Sequence, residues 1–314
     1  MATSLELFEG VKMLDITLLG CGGMMPLPNR FLTSMMARIN GMSILIDCGE
    51  GTQITMRKIG LSARPIGVMC ITHFHADHIS GLPGLLLAMG NSDRTEPLTI
   101  IGPKGLGRVV SSLRVIAPEL PFEVNCVEID GAEEVFEFDY FTIEAFRVNH
   151  KVMCYGYSIV VNRKGKFDLD AAMKLPIEKK YWGKLQSGET IEVNGVTYTP
   201  DMVMGADRKG LRVTYTTDTR PTPAIVEHAK GADLFICEGM YGEEEKRQQA
   251  VERKHMMFSE AAEIAASAKP KQMWLTHFSP ALIHPDEYID SARSIFEQTY
   301  LGKEGKNIEL MFED

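Results

Sequence analysis

The chain lacks the features that would tie it to a membrane, an oxidising compartment or a polyanion. No apolar run among its 314 residues reaches the roughly 18 to 20 residues a bilayer span requires, which argues against a helical membrane protein. The opening stretch MATSLELFEG has neither the basic nor the apolar region of a signal peptide, so the cytoplasm is the expected compartment. Cysteine is sparse: Cys21, Cys48, Cys70, Cys126, Cys154 and Cys237 are scattered, form no Cys-x-x-Cys pair and mostly sit in apolar segments. That pattern reads as reduced core thiols rather than a disulfide frame. Positive charge is also in deficit, 33 Lys and Arg against 42 Asp and Glu for a net charge of −9, which excludes a uniformly basic coat for nucleic acid. It does not exclude action on RNA, because bound divalent cations would bring positive charge to the place where a phosphate docks. No tandem repeat or low-complexity tract occurs. What is present is a hydrophobic fraction of 45%, ample for the core of one large domain or two ordinary ones.

The most informative stretch is 66–84, IGVMCITHFHADHISGLPG. Ile66 to Ile71 is short, β-branched and nearly uncharged, as expected of a strand buried on both faces, and the histidines begin where it stops. If the backbone stays extended for two more residues, His73 and His75 project to one side and one cation meets both rings. Asp77 and His78 follow in a turn and face a second cation a few ångströms away. Imidazole and carboxylate together suit zinc or another borderline divalent metal. Any one of these histidines alone would read as a surface residue of a polar loop, but three with an aspartate in six residues favour a metal.

Taken in order, 12–19 and 35–47 read as strands flanking a Gly/Pro-rich loop from Gly20 to Pro28. Gly51 to Gly60 has helical spacing that ends at a glycine. Helices are expected near 80–90 and 104–114, and strands at 98–101, 122–129, 135–138, 141–149 and 154–162. Segment 163–210 is rich in Lys, Gly, Glu and Asp and reads as an excursion that either carries its own small structure, projects as a functional arm, or is a floppy surface insertion. Strands are expected again at 212–217, 233–237 and 272–275, helices from Glu243 and over Phe258 to Ala268, and a final helix around 286–298 completes the chain. Periodicity by itself gives an α/β protein with two sheets packed together and helices outside. His73, His150, Asp218 and His277 each fall at or just past the end of an expected strand, where distant residues converge and loops build sites.

The run His73-x-His75-x-Asp77-His78 resembles the signature of the metallo-β-lactamase superfamily, and its continuation into HISGLPGLLL and IGPKGL is similar to the ribonuclease Z family. The resemblance covers essentially the whole chain and implies an α/β fold, the αββα metallo-β-lactamase sandwich: one domain over 1–314 with a protruding arm inserted at about 163–210. It implies two divalent ions per subunit, zinc first with manganese or iron admitted. His73, His75 and His150 would hold one, Asp77, His78 and His277 the other, and Asp218 would bridge them. The surrounding motifs match at Val148-Asn-His150, Thr216-Thr-Asp218-Thr-Arg220 and Leu275-Thr-His277-Phe-Ser279. A water shared by two such cations is deprotonated near neutral pH, and the same cations stabilise an in-line phosphoryl transition state. Asp77 would orient the nucleophile and accept its proton.

Glu238 and His255 match a hydrogen-bonded pair that in this family protonates the leaving oxygen, since a carboxylate keeps the imidazole cationic. Without that pairing they read as a solvated acid and a helix-start surface residue. The family implies cleavage of the 3′ trailer from precursor tRNA by a homodimer. Several motifs depart from it. The loop Pro-x-Lys-x-Arg-Asn reads Pro26-Leu-Pro28-Asn-Arg30-Phe31, and His-Glu-Ala-Thr reads Cys237-Glu238-Gly239-Met240. His-Ser-Thr reads His255-Met256-Met257, and the arm replaces its Gly-Pro element by Pro176-Ile-Glu-Lys179-Lys180-Tyr181-Trp182. Arg30, Lys179 and Lys180 are the expected RNA contacts, and Tyr181 and Trp182 either stack on a base or anchor the arm to itself. The alternative substrate is a small or unstructured phosphodiester such as a cyclic nucleotide or short RNA. Hydrolysis of β-lactams or thioesters, and a catalytically idle binding module, are weaker readings.

Overall fold

A computed structural model describes residues 13–313. The N-terminal segment in which no signal peptide was expected, and Lys12 of the first expected strand, lie outside the described residues. The first half runs β1 (Met13–Gly20), β2 (Ser34–Ile39), β3 (Met42–Ile46), α1 (Thr52–Lys58) and β4 (Ile66–Cys70). It continues through α2 (Ala76–Ile79), α3 (Leu82–Gly90), β5 (Leu98–Pro103), α4 (Leu106–Leu113) and β6 (Val124–Ile129). Next come β7 (Glu133–Glu137), β8 (Thr142–Arg147), β9 (Tyr155–Arg163), α5 (Leu169–Lys174), α6 (Trp182–Ser187), β10 (Ile191–Val193) and β11 (Val196–Tyr198). The last third holds β12 (Arg208–Thr216), α7 (Pro223–Ala229), β13 (Leu234–Glu238), α8 (Arg247–Arg253) and α9 (Phe258–Ala268). It closes with β14 (Met273–Thr276), α10 (Ile289–Arg293), β15 (Thr299–Leu301) and β16 (Asn307–Met311).

Two seven-stranded sheets, ordered β16-β1-β2-β3-β4-β5-β6 and β15-β14-β13-β12-β9-β8-β7, each have one antiparallel and one parallel half. The alternation of side chains explains the layers. Leu14, Ile16 and Leu18 face Ile159, Val213 and Tyr215 between the sheets, while Phe235 and Cys237 of β13 turn away from Leu234 and Ile236 to pack beneath α9. A second outer layer of Met69, Ile71, Leu82, Leu85 and Leu86 holds α3 against the first sheet. Strands buried on both faces have few polar positions, which is why their sequences read as largely apolar runs.

Three expectations need correction. The single strand read over 35–47 is a hairpin: Asn40 and Gly41 both have positive φ (45° and 79°), the backbone of a tight two-residue turn, and Met35 pairs with Ile46. The strand read to 149 stops at Arg147, because the Val148 N–H bonds the Cys154 carbonyl and turns the chain, so His150 stands in a loop rather than at a strand end. The helix read over 286–298 is only α10, and it is followed by two unexpected strands, of which β16 pairs antiparallel with β1. β16 is an edge strand with little buried surface, so it leaves a weak apolar signature.

Segment 163–210 carries its own small structure. Ala172, Leu185, Ile191, Tyr198 and Val203 form a separate apolar cluster, joined by half-buried Phe167, Tyr181 and Trp182. Of the two uses weighed for Tyr181 and Trp182, packing within the arm is the one observed: Trp182 lies 5.9 Å from the Phe167 ring.

Candidate metal centre

The site lies where the C-terminal ends of β3, β4, β12, β13 and β14 meet. The histidine run leaves β4, and His73 is fully buried while His75 is exposed. Asp77 and His78 sit on the single turn of α2 rather than in an irregular turn. Asp218 follows β12 and His277 follows β14. Met24, Asp47, Asp218 and His277 all have positive φ (66°, 57°, 23° and 59°), a left-handed backbone that costs a non-glycine residue about 1 kcal/mol or more. Four such residues around one spot mean that the packing of the two sheets holds the backbone there against its local preference.

The donors sort into two pockets around Asp218. Its Oδ2 lies 3.6 Å from His73 Nε2 and 3.7 Å from His150 Nε2, and His75 Nδ1 is 2.9 Å from His73 Nε2. Its Oδ1 lies 3.1 Å from His78 Nε2 and 3.0 Å from His277 Nε2, while Asp77 Oδ2 is 3.4 Å from His277 Nε2 and 3.7 Å from His78 Nε2. Four donors about 2.1 Å from a tetrahedral cation are about 3.4 Å apart, so both groups fit one small divalent ion each. Buried atoms left without a hydrogen bond reinforce the fit: His150 Nε2 and Asp218 Oδ1 have no hydrogen-bond partner among the described residues, although imidazole nitrogens lie close to that oxygen. Imidazole and carboxylate atoms packed this closely in two groups, with buried atoms among them left unpaired, suit the ligand set of small divalent cations.

Charge differs between the pockets. Burial lowers the pKa of His73, His75 and His150, which keeps their lone pairs free. In the other pocket burial acts the same way, but Asp218 outweighs it and raises His277 to about 10, and Asp218 with Asp47 raises His78 well above its ordinary value. Burial would raise Asp77 and Asp218, yet the facing histidines hold both carboxyls below the usual range.

Supporting contacts fix the donors. Asp47, fully buried at the end of β3, accepts from the Thr72 N–H at 2.8 Å and from His78 Nδ1 at 2.7 Å, which turns His78 Nε2 towards Asp218. Sequence reading passed over Asp47 as the end of a strand; its signal was an acidic residue straight after the apolar run Ile44-Leu45-Ile46, at the same level as the histidine run. The Met24 N–H donates to Asp77 Oδ2 at 2.6 Å. Gly23 leaves no room for a side chain, since a Cβ there would stand 2.7 Å from the His277 ring. His150 Nδ1 faces the Lys254 carbonyl at 3.2 Å.

Glu238 is completely buried and stands 3.1 Å from His255 Nδ1, and it also accepts from the Met256 N–H at 3.2 Å and from the Thr219 N–H. A His255 ring nitrogen lies within 4.8 Å of donor atoms of Asp218 and His277. Arg220 ties this loop down by donating to the His255 carbonyl and to both oxygens of Glu260. None of the three expected RNA contacts, Arg30, Lys179 and Lys180, is among the grouped donors. Arg30 Nη1 donates to the Leu282 carbonyl at 2.8 Å and Nη2 to the Ile283 carbonyl at 3.2 Å. Lys179 and Lys180 are exposed on the arm, with Lys180 Nζ 2.8 Å from Glu178.

Two stacked mixed sheets with paired His/Asp pockets at their common edge define a metal-binding hydrolase of the metallo-β-lactamase fold. Residues 189–278 match the family model described as the beta-lactamase superfamily domain, and 14–191 match the one described as anti-Pycsar protein Apyc1. The fold resembles human tRNase Z, short form (TM-score 0.67, 24% identity, 94% of this chain and 98% of that one) and the metallo-beta-lactamase fold protein YhfI from Bacillus subtilis (0.69, 20%, 95% and 99%). The chain is 58% identical over 302 residues to ribonuclease Z of Agathobacter rectalis, covering 96% of this chain and 100% of that protein. It is also 58% identical to ribonuclease Z of Lachnospira eligens, covering 96% and 99%. This chain belongs to the ribonuclease Z family. Among the described residues, no helix is long and apolar enough to cross a membrane.

Proposed function

We propose that the protein is an endoribonuclease that removes the 3′ trailer of precursor tRNA, with two divalent cations, zinc by the chemistry of the donors. The observation that carries this reading is Asp218, whose two oxygens each face a separate trio of donors. His73, His75 and His150 would hold one cation, Asp77, His78 and His277 would hold the other, and Asp218 would serve both. Cations bound there would supply Lewis acidity to a phosphoryl group and make a water more acidic.

The chain's own groups do the rest. Asp77, positioned by the Met24 N–H, orients the attacking water and takes its proton. Glu238 accepts from His255 Nδ1 and so fixes the ring with its other nitrogen towards the site. From there His255 gives a proton to the leaving ribose oxygen, and the carboxylate behind it stabilises the imidazolium. Arg30 shapes the loop beside the site through the 279–283 carbonyls and keeps its remaining N–H groups for a phosphate. Lys179 and Lys180 offer phosphate contacts on the arm, the exposed Glu178 pair being too weak to hold Lys180 back. We infer one catalytic domain with this arm inserted, acting as a homodimer in the cytoplasm.

The test sets the metal-loaded protein on a 3′-extended precursor tRNA beside bis(p-nitrophenyl) phosphate. A discrete cut at the discriminator nucleotide is expected, and its absence while the small diester is turned over rejects the tRNA substrate. That second outcome is the one Pro28 and Phe31 favour, since Phe31 packs under Lys58 and against Gly51 instead of facing a substrate.

A further inference from the structure

Large apolar side chains are exposed on both flanks of the donor cluster. Met24 and Met25, 51% and 59% exposed, follow Gly23 beside the Asp77 and His277 pocket. Val152 and Met153, 43% and 37% exposed, follow His150 of the other pocket. Met24 contributes its backbone N–H to Asp77, but none of the four side chains takes part in the donor groups. Scattered apolar residues on a surface need no explanation, but two pairs bracketing one polar site do.

The second pair stands on a stiff loop. The Val148 N–H bonds the Cys154 carbonyl at 3.0 Å, the Asn149 N–H bonds Thr219 Oγ1 at 3.0 Å, and the Tyr155 N–H bonds the Thr72 carbonyl at 3.0 Å. Between these fixed ends only Lys151, Val152 and Met153 project outwards. Lys151 is exposed, and its side chain makes no ion pair or hydrogen bond among the described residues. A free cation next to two apolar side chains, one residue beyond a metal donor, matches the repeating unit of a single strand: a charged phosphate next to a flat, apolar base.

We propose that Val152–Met153 and Met24–Met25 are two shelves for the unstacked nucleosides on either side of the scissile phosphate, with Lys151 taking the neighbouring phosphate. This rests on the RNA-cleaving reading above and adds to it how the strand is gripped at the cut. Methionine is unbranched and polarizable, so it packs on the face of any base without reading its edge. Such a grip tolerates sequence, as a nuclease that meets many different trailers requires. It also takes over near the cut a task that Tyr181 and Trp182, packed within the arm, are not free to perform.

The experiment compares metal-loaded wild type with V152S/M153S, M24S/M25S and K151A on precursor tRNA at several salt concentrations. Each apolar pair is expected to raise KM about tenfold with kcat changed far less, and to leave the salt slope of kcat/KM where it was. Lys151→Ala is expected to reduce that slope by about one. Val152→Ile with Met153→Leu, which keeps the apolar surface, is expected to restore KM. Unchanged KM in both serine pairs overturns the proposal, and so does an equal fall in kcat and kcat/KM that the apolar variant fails to rescue. A change of oligomeric state on size-exclusion chromatography also overturns it, because the patch then serves a second copy of the chain. Wild type that leaves precursor tRNA uncut refutes the underlying function instead, so the two failures are distinguishable.

Discussion

Replacing Asp47 by Asn changes one atom of a fully buried side chain that touches no substrate, yet it should disable one metal pocket. The carboxylate accepts from the Thr72 N–H (2.8 Å), from Thr72 Oγ1 (2.9 Å to the nearer oxygen) and from His78 Nδ1 (2.7 Å). Asparagine keeps the shape and one acceptor. If that oxygen stays on the Thr72 N–H, the new NH2 faces His78 Nδ1 and selects the tautomer protonated on Nε2. A protonated Nε2 has no lone pair for the cation between Asp77, Asp218 and His277. Loss of such an outer partner weakens metal affinity about 10- to 100-fold, or about 1.4 to 2.7 kcal/mol. Removal of a charged hydrogen bond costs the fold about 1.5 to 3 kcal/mol more. Chelator competition with metal content read by mass spectrometry, and turnover of bis(p-nitrophenyl) phosphate against added metal, measure the first effect; a thermal melt measures the second. A variant that keeps both wild-type metal affinity and wild-type melting temperature refutes the argument.

Other predictions follow from particular contacts. His255→Ala should lower kcat on precursor tRNA about 10²- to 10⁴-fold while metal content stays at the wild-type level; a tenfold loss of metal instead would make His255 a ligand. Excising 168–203 between the paired Phe167 and Met204 should leave a folded protein that still turns over the small diester, because the arm has its own apolar cluster, while KM for precursor tRNA rises. Failure of the truncated chain to fold would show the arm to be part of the core. Glu144 is held down to about 2 by His228 Nδ1 and then by Arg212, whose two Nη atoms reach its oxygens at 2.7 and 3.0 Å. A depressed carboxyl pKa stabilises the fold above its unfolded value of about 4.3, and that contribution is lost as pH falls through about 2. Wild type should therefore exceed Glu144→Gln by about 1 to 2 kcal/mol at pH 6, after allowance for solvent screening, and the gap in melting temperature should narrow below about pH 4 and close as pH falls through about 2. A gap independent of pH contradicts the ion pair.

Core strands were legible because burial on both faces removes polar residues from them, and α9 was legible because its apolar spacing and ends agree. Legibility failed where local pattern and tertiary context part. Asn40–Gly41 marks a turn, yet it was absorbed into a long apolar stretch whose two halves read alike. β15 and β16 are short edges: β15 pairs with the nearby β14, and β16 pairs with β1 almost 300 residues away, so little local signal announces them. Among the site residues, the histidine run was visible through density alone. Asp47 was not, because a single acid at a strand end is common, and only its contact with His78 gives it meaning.

By itself the sequence determined the kinds of donor and their place near strand ends, since apolar runs must stop where buried strands meet solvent. The packing of the two sheets decided everything about grouping: His78 and His277, 199 residues apart, come within 3.2 Å, and Asp218 divides its two oxygens between separate pockets. The physical reason is that a donor atom acquires its function from neighbours within about 4 Å, and for each group some of those neighbours arrive from the other sheet.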